Sequence, residues 1–210
     1  MGLIMKENIA EDCLLGIWEI RESYDQLFAR VNLSEEELVK LNSFQNERRK
    51  LEWLSVRALI KAVLELDVRI VYNESRKPFL EDRTFNISIS HSRDLTAVLL
   101  SRNNRVGIDL EYMSHDIERL AHKFVNEREF ITDDENRHNF HLYIHWCAKE
   151  ALYKICDKQD INFKQNLTLK PFDAHDEGII TGVVNNRFGL EDYQLHYYKY
   201  DNYIIAWCMK

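Results

Sequence analysis

Apolar and polar residues alternate without exception from Phe85 to Ser90, in the sequence FNISIS. Because the side chains of a strand point to its two faces in turn, this pattern predicts a half-buried strand. Asn103-Asn104 and Asp201-Asn202 supply turns between neighbouring apolar runs, which indicates antiparallel hairpins. The runs themselves predict strands at residues 13–20, 95–100, 106–111, 167–172, 178–184, 193–198 and 203–208.

A second spacing, with apolar residues three or four positions apart, predicts helices between these strands. Ser34, followed three positions later by Glu37, is a capping-box sequence that predicts the start of one helix. Two more helices are expected at residues 117–124 and 139–156. The longest amphipathic pattern predicts a helix from about residue 46 to 66, whose apolar face carries Leu51, Leu54, Ala58, Ala62 and Leu66.

Strands interleaved with helices and joined by hairpins indicate the α+β class, not a doubly wound parallel sheet. The composition fits a compact globule, because hydrophobic residues make up 45% of the 210 residues and there are only 6 Gly and 2 Pro. No apolar run reaches the roughly 18 residues that a membrane span requires. Glu11 and Asp12 interrupt the N-terminal apolar stretch, which is unlike a signal peptide. We therefore expect no membrane partner.

Charge and cysteine content narrow the functional class. The net charge of −7 argues against a nucleic-acid binder, and it is divided unevenly, with −1 in residues 1–105 and −6 in residues 106–210. Residues 47–61 nevertheless hold five cations and two anions, so a basic cluster and an acidic half occur in one chain. The four cysteines form no C-x-x-C pair, which favours reduced thiols in a cytoplasm.

Two short segments carry the candidate chemistry. Asp109 and Glu111 lie two positions apart on a predicted strand, so both carboxylates point to one face. The helix sequence WCAKEALYK adds Lys149, Glu150 and Lys154. Oxygen ligands without histidine or cysteine suit a hard cation such as Mg²⁺, with Mn²⁺ also possible, that holds substrate phosphates. The sequence therefore predicts a phosphate-handling metal enzyme.

Three segments in this order resemble one family, the 4′-phosphopantetheinyl transferases of the surfactin-synthetase-activating type. They are residues 86–92 (NISISHS), 107–111 (GIDLE) and 146–154 (WCAKEALYK). The resemblance extends over roughly residues 45–155, and Ile89 is an insertion into the family's N-I-S-H-S block. The resemblance implies two similar α+β halves, residues 1–105 and 106–210. They are expected to pack as an intramolecular pseudo-dimer with the active site in the cleft between them.

The resemblance also implies a reaction. Such an enzyme transfers the 4′-phosphopantetheine group of coenzyme A to a serine hydroxyl of an apo acyl or peptidyl carrier protein, with Mg²⁺, and releases 3′,5′-ADP. We expect a cytoplasmic monomer. The carrier protein could belong to fatty acid, polyketide or nonribosomal peptide synthesis, and the resemblance does not select one of them. Two other readings are a non-catalytic module that binds coenzyme A or a carrier protein, and a Mg²⁺-dependent nucleotide phosphodiesterase.

For the catalytic half, the resemblance makes Asp109, Glu111 and Glu150 the metal ligands. Glu150 is alternatively the base that takes the serine proton, a role that a metal-bound water could also fill. The spacing of Glu150 and Lys154 equally suits an i,i+4 ion pair. Lys154 is expected to neutralise the leaving phosphate, and Lys149 to contact the pyrophosphate as a point charge.

For the coenzyme A half, the resemblance makes Ser90 and His91 contacts to phosphates. Lys77-Pro78 matches a Gly-Lys-Pro element that lies against the adenine and 3′-phosphate, although Arg76 stands in place of the glycine. The basic helix is expected to grip the 3′-phosphate bidentately through one of three arginines, with Arg57 as first choice. The three are Arg48, Arg49 and Arg57. Residues 126–130 resemble a linker that lines either the pantetheine channel or the carrier-protein surface.

Overall fold

The computed structural model describes residues 2–114, 117–156 and 161–210. Contacts within the chain separate two compact units, one reaching Asn103 and the other starting at Asn104. Each unit packs a long helix against an antiparallel sheet, which confirms the α+β class. No helix in the described ranges is long and apolar enough to cross a membrane.

The first unit contains a four-stranded sheet in the order β1-β2-β6-β5, in which all neighbours are antiparallel. A separate two-stranded ribbon, β3-β4, completes it. Its elements in chain order are β1 Leu3–Ala10, β2 Cys13–Glu19, α1 Tyr24–Phe28, α2 Glu35–Asn42, α3 Glu47–Leu64, β3 Ile70–Tyr72, β4 Pro78–Leu80, β5 Asn86–Ser92 and β6 Leu95–Ser101.

Local sequence explains where the helices of this unit begin and end. The predicted capping box is confirmed, since Ser34 accepts from the backbone of Glu37 and the Glu37 carboxylate accepts from the backbone of Ser34. Asn46 caps α3 by accepting from the Arg48 amide at 2.8 Å. Helix α3 ends where Glu65 adopts a left-handed conformation, with φ 58°. The prediction over residues 46–66 is therefore confirmed within two residues.

The second unit contains a five-stranded antiparallel sheet in the order β7-β11-β10-β9-β8. All four predicted strands after residue 160 are present, although the first one is shorter than expected. The elements are β7 Val106–Tyr112, α4 Glu118–Phe124, α5 Glu135–Ile155, α6 Phe163–Asn166, β8 Leu167–Leu169, β9 Glu177–Asn186, β10 Gly189–Tyr200 and β11 Tyr203–Met209.

Two elements depart from the sequence prediction. Strand β1 is not predicted, because its middle, Lys6 to Asn8, is polar and exposed; it is an edge strand held by its pairing with β2. Helix α5 begins at Glu135, four residues before the predicted start, and is capped by the Asp134 side chain. Residues 135–138 carry no apolar periodicity, so only the cap indicates the true beginning.

Helix α5 lies unusually close to β7 because of one glycine. A Cβ atom at Gly107 would lie 2.1 Å from the carbonyl oxygen of Ala151 and 3.1 Å from the Cβ of Ile155. Ala151, Leu152 and Ile155 are fully buried in the core of this unit. The absence of a side chain at Gly107 thus sets the distance between β7 and α5, the two elements that carry the predicted catalytic residues.

We expect Gly107→Ala to lower the free energy of unfolding by about 3 kcal/mol, because a methyl group there overlaps backbone atoms of α5 that cannot shift alone. Urea denaturation measures this. Gly178→Ala is the matched control, since the methyl there meets only the end of the Tyr197 ring. Equal, small losses in both variants would contradict the close approach of α5 to β7.

Candidate active site

Asp109 and Lys154 are brought together in the second unit. Asp109 lies in the middle of β7 and is only 4% exposed, and Lys154 comes from the last turn of α5. The Lys154 ammonium donates to Asp109 Oδ1 at 2.7 Å and to the carbonyl oxygen of Ile108 at 2.8 Å. Since both side chains are largely shielded from water, their charges interact more strongly than a surface pair would.

Glu111 follows Asp109 on the same face of β7, as the strand period requires. The indole Nε1 of Trp146, one turn before Glu150 on α5, donates to Glu111 Oε1 at 3.4 Å. Trp146 therefore stands beside a predicted ligand and is part of the wall of the site.

The predicted carboxylates all influence the buried thiol of Cys147. Burial raises its pKa well above the ordinary value, and the charges of Asp109 and Glu111 raise it further. Lys154 opposes this rise, and Glu150 adds to it. The pKa shift of this thiol thus has contributions from three carboxylates and one ammonium.

The residues fit a hard cation by donor type, since Asp109, Glu111 and Glu150 offer only oxygen. Within the described part of the chain, however, no group of three or more His, Cys, Asp or Glu is arranged to hold an ion. Asp109 Oδ1 is engaged by Lys154 instead. The Lys154 ammonium therefore compensates part of the negative charge of Asp109.

Lys149 is directed away from this group, contrary to the prediction that it contacts a pyrophosphate. Its side chain is fully buried, and its ammonium donates to Glu129 at 2.7 Å and to the carbonyl oxygens of Phe124 and Phe163. Burial lowers the pKa of Lys149, and Glu129 opposes that shift. An ammonium has three N–H donors, so none is left for a phosphate.

Arg49 and His91 form the accessible part of the basic cluster in the first unit. Arg49 Nη1 lies 2.7 Å from His91 Nε2 and 3.1 Å from Glu52 Oε2, and the Arg49 side chain is 48% exposed. His91 Nδ1 lies 3.7 Å from the same carboxylate oxygen. Ser90, the neighbour of His91 on β5, is buried. Glu52 thus orients a guanidinium and an imidazole that both remain open to solvent.

Arg48 borders this cluster. Its Nη1 donates to Asp94 at 2.9 Å, and its Nε lies 3.7 Å from Glu52 Oε1. Its Nη2 is buried and has no hydrogen-bond partner among the residues that the structure describes. Arg48 and Arg49 therefore share the Glu52 carboxylate.

Arg57, the first choice for the 3′-phosphate, is instead held inside the unit. Its Nε donates to Glu37 at 2.9 Å, its Nη1 donates to the carbonyl oxygen of Trp53, and its guanidinium lies over the Trp53 ring. Burial lowers its pKa, while Glu37 and Tyr72 oppose that shift. Only 7% of the residue is exposed. We therefore correct the prediction: Arg57 joins α3 to α2, and Arg49 is the accessible arginine.

A cavity of about 210 Å³ lies beside Arg57, but its charges are already matched. Lys61 pairs with Asp67 at 2.8 Å, and Arg69 lies 3.9 Å from Glu81. With Arg57 paired to Glu37, each cation on its wall has an acidic partner. All three cations on the wall of this cavity are therefore already paired with carboxylates.

The Lys77-Pro78 element keeps a glycine-type backbone without the glycine. Arg76 adopts a left-handed conformation, with φ 61°, and the amide of Lys77 donates to the Asn73 side chain at 2.8 Å. Pro78 then begins β4 opposite Tyr72. Replacing the glycine by arginine thus leaves the turn in the conformation that glycine favours.

Two carboxylates of these clusters, Glu52 and Glu129, are not predicted as ion-pair partners, and Glu129 lies buried against Lys149 although residues 126–130 are expected to line a channel or a carrier-protein surface. Glu52 lies three positions after Arg49 and four after Arg48, a helical spacing that could have indicated a shared partner. Glu129 lies 20 residues from Lys149 in sequence, and no local pattern links them. Only the packing of the unit reveals that second pair.

Residues 105–208 match the sequence model of the 4′-phosphopantetheinyl transferase superfamily. The chain is also 29% identical over 140 residues to the protein named 4′-phosphopantetheinyl transferase HetI from Nostoc sp. (strain PCC 7120 / SAG 25.82 / UTEX 2576). That match covers 58% of each chain, which is less than two thirds of the relative's length. The region of the family match contains Asp109, Glu111, Glu150 and Lys154.

We expect Arg57→Ala to lower the free energy of unfolding by about 3 kcal/mol, because it leaves the Glu37 carboxylate largely buried without its partner. Arg49→Ala, on the same helix, should cost less than about 1 kcal/mol, since its pair with Glu52 is half exposed. Urea denaturation of both variants tests the difference. If the two variants lost nearly the same free energy of unfolding, Arg57 would not have the structural role assigned to it.

Proposed function

We propose that the chain is a 4′-phosphopantetheinyl transferase, because residues 105–208 match the model of that superfamily, and that it transfers phosphopantetheine from coenzyme A to a serine of an apo carrier protein. The observation that supports this most directly is the group formed by β7 and α5. There, Lys154 contacts Asp109, Trp146 contacts Glu111, and the charge of Glu150 reaches the same buried thiol. A cation beside several carboxylates suits a reaction in which phosphate charge develops and is released.

The chemistry assigned to the chain's own residues is proton transfer and charge neutralisation. Glu150 takes the proton of the serine hydroxyl as its oxygen attacks the phosphorus that bears pantetheine. The bond from that phosphorus to the bridging oxygen breaks, and 3′,5′-ADP leaves with the oxygen. Lys154 neutralises the negative charge on this leaving phosphate. The carrier protein gains the phosphopantetheine arm, so all atoms are accounted for.

Asp109, Glu111 and Glu150 would hold Mg²⁺, or Mn²⁺ in its place, through oxygen alone. The ion, when bound, supplies neutralisation of the pyrophosphate that makes its phosphorus open to attack. Lys154 donates to Asp109 Oδ1, so the lysine proposed for the leaving phosphate and a carboxylate proposed for the metal are in direct contact.

The coenzyme A end is assigned to the basic cluster of the first unit. Arg49 and His91 are accessible and adjacent, and Arg48 lies beside them and shares Glu52 with Arg49. We assign the 3′-phosphate to Arg49, with Arg48 and His91 as further phosphate contacts, because a guanidinium grips phosphate bidentately. Lys77, with Pro78 and Ser90, remains a proposed contact. Arg57 and Lys149 are given structural roles.

The finer expectations stay predictions. They include the surfactin-synthetase-activating type, the pseudo-dimeric relation of the two halves, a shared cleft, the separate roles of residues 1–105 and 106–210, and a cytoplasmic monomer. The two alternative functions, a binding module and a phosphodiesterase, differ from the transferase in their products.

The decisive test is the intact mass of an apo acyl or peptidyl carrier protein after incubation with the protein, coenzyme A and Mg²⁺. A metal-assisted transfer adds about 340 Da, and EDTA abolishes the gain. Asp109→Ala should reduce the rate at least about 100-fold, since it removes a metal-binding carboxylate and the partner of Lys154. Asp192→Ala, which affects an exposed pair with Lys170, is the matched control.

Each other outcome selects another function. Coenzyme A binding without any mass gain on several carrier proteins would favour the binding module. Release of 3′,5′-ADP without a carrier protein, at the rate seen with one, would favour the phosphodiesterase. Wild-type rates in Asp109→Ala would refute the assignment of the site.

We expect Arg49→Ala to raise the KM for coenzyme A about tenfold and to leave the KM for dephospho-coenzyme A nearly unchanged, because only coenzyme A carries the 3′-phosphate. Steady-state kinetics on both substrates measure the effect. Arg69→Ala, an exposed arginine of the same unit, is the control. An equal rise with both substrates would place Arg49 elsewhere on the nucleotide.

A further inference from the structure

The Glu129–Lys149 ion pair is the most completely enclosed charge pair among the residues described. Both side chains are 0% exposed, and the ammonium lies 2.7 Å from Glu129 Oε2. Among the described residues of this unit, the pair with the next best shielding is Asp109 and Lys154, which belongs to the site already discussed. The enclosed pair has no place in the proposed proton transfer or in phosphate binding.

The hydrogen bonds of this pair reach several different segments of the unit. Glu129 Oε2 also accepts from the Asn126 amide at 2.9 Å, and Oε1 accepts from the Leu169 amide at 2.7 Å. Lys149 donates to the carbonyl oxygens of Phe124 and Phe163 as well. The pair thereby joins the end of α4, the following loop, α5, the start of α6 and β8.

Stability alone is a weak reason for such a pair. Removing two charges from water is costly, and apolar residues of similar volume often stabilise a core equally well. A pair with all its hydrogen bonds made holds the connected segments in fixed positions, because each hydrogen bond restricts one segment to one distance and angle. The geometry therefore points to a role in alignment.

Two routes lead from this pair to the predicted catalytic carboxylates. Lys149 directly precedes Glu150, so fixing its ammonium fixes the rotation of α5 at that position. The aromatic route is longer. Phe124 and Phe163, whose carbonyls bind Lys149, both pack on the Trp146 ring, with centroids 5.3 and 5.7 Å away. Trp146 in turn donates to Glu111.

We propose that Glu129 and Lys149 are positioning residues for the transferase site, holding Glu150 through α5 and Glu111 through Trp146. This inference rests on the proposed function. Neither residue touches the reacting groups; their effect is on the angle of α5 and on the place of the Trp146 indole. Loss of the pair should consequently reduce kcat and leave coenzyme A affinity unchanged.

The main test is the double variant Glu129→Gln/Lys149→Met, which removes both charges and leaves neither unpaired. We expect its Tm to stay within about 5 °C of the wild type, whereas Lys149→Met alone, which leaves a buried carboxylate, should lose more. We expect kcat of the double variant to fall at least tenfold, with the KM for coenzyme A changed less than twofold. Wild-type kcat in a double variant of wild-type Tm would overturn the proposal.

A second variant keeps the test independent of how well the double variant folds. Trp146→Phe keeps an aromatic ring against Phe124 and Phe163 and removes the N–H that binds Glu111 together with the second ring of the indole. It should lower kcat about threefold to tenfold at nearly unchanged Tm. Unchanged kcat in Trp146→Phe would overturn the route to Glu111. Lys170→Met/Asp192→Asn, which neutralises an exposed pair in the same unit, is the matched control and should alter neither quantity.

Hydrogen exchange separates failure of this inference from failure of the proposed function. In the double variant, the amides of Asn126 and Leu169 should exchange at least tenfold faster, and so should those around Glu150, with the strands of the sheet unchanged. A wild type that exchanges as expected and transfers nothing would refute the function alone. A wild type that transfers, combined with unchanged exchange around Glu150 in the double variant, would refute the positioning role alone.

Discussion

The seating of helix α5 on strand β7 is the constraint on which the proposed catalytic group depends. Three alternate residues of β7 face the helix: Gly107 lies under Ala151, Asp109 meets Lys154, and Glu111 meets Trp146. Because strand side chains repeat every two residues, a shift of β7 by one position would turn all three away from α5. The missing side chain at Gly107 lets the helix approach closely enough for the two other contacts to form.

Helical geometry explains why two lysines, or two arginines, of one helix differ in their surroundings. Lys149 and Lys154 are five positions apart, which is about 140° around a helix, so one enters the core and the other reaches β7. Arg49 and Arg57 also lie on one helix, two turns apart, yet only Arg49 is at an open surface. In each case the buried residue has a carboxylate from another element, Glu129 or Glu37, that compensates its charge. Residue type and local spacing cannot distinguish the two members, since the compensating carboxylate is distant in sequence.

Local patterns predict most of the secondary structure here because strand alternation, helical spacing and caps act within a few residues. The strand over β5, the capping box at Ser34 and the helix α3 are all confirmed in this way. The edge strand β1 has no such pattern, since its polar middle is exposed and only pairing with β2 makes it a strand. The first turn of α5 is likewise polar, and its cap, not its periodicity, starts the helix.

For function, the sequence by itself indicated the resemblance to one family, the strand with Asp109 and Glu111, and the helix with Glu150 and Lys154, because these are contiguous motifs. Only the tertiary structure decided which charges remain accessible. Lys149 and Arg57 are buried in the cores of their units. Arg49 lies beside His91, and Glu129 forms an ion pair with Lys149 of α5. The physical reason is that burial of a charge requires an opposite charge nearby, and that partner is supplied by folding across tens of residues, not by any local pattern.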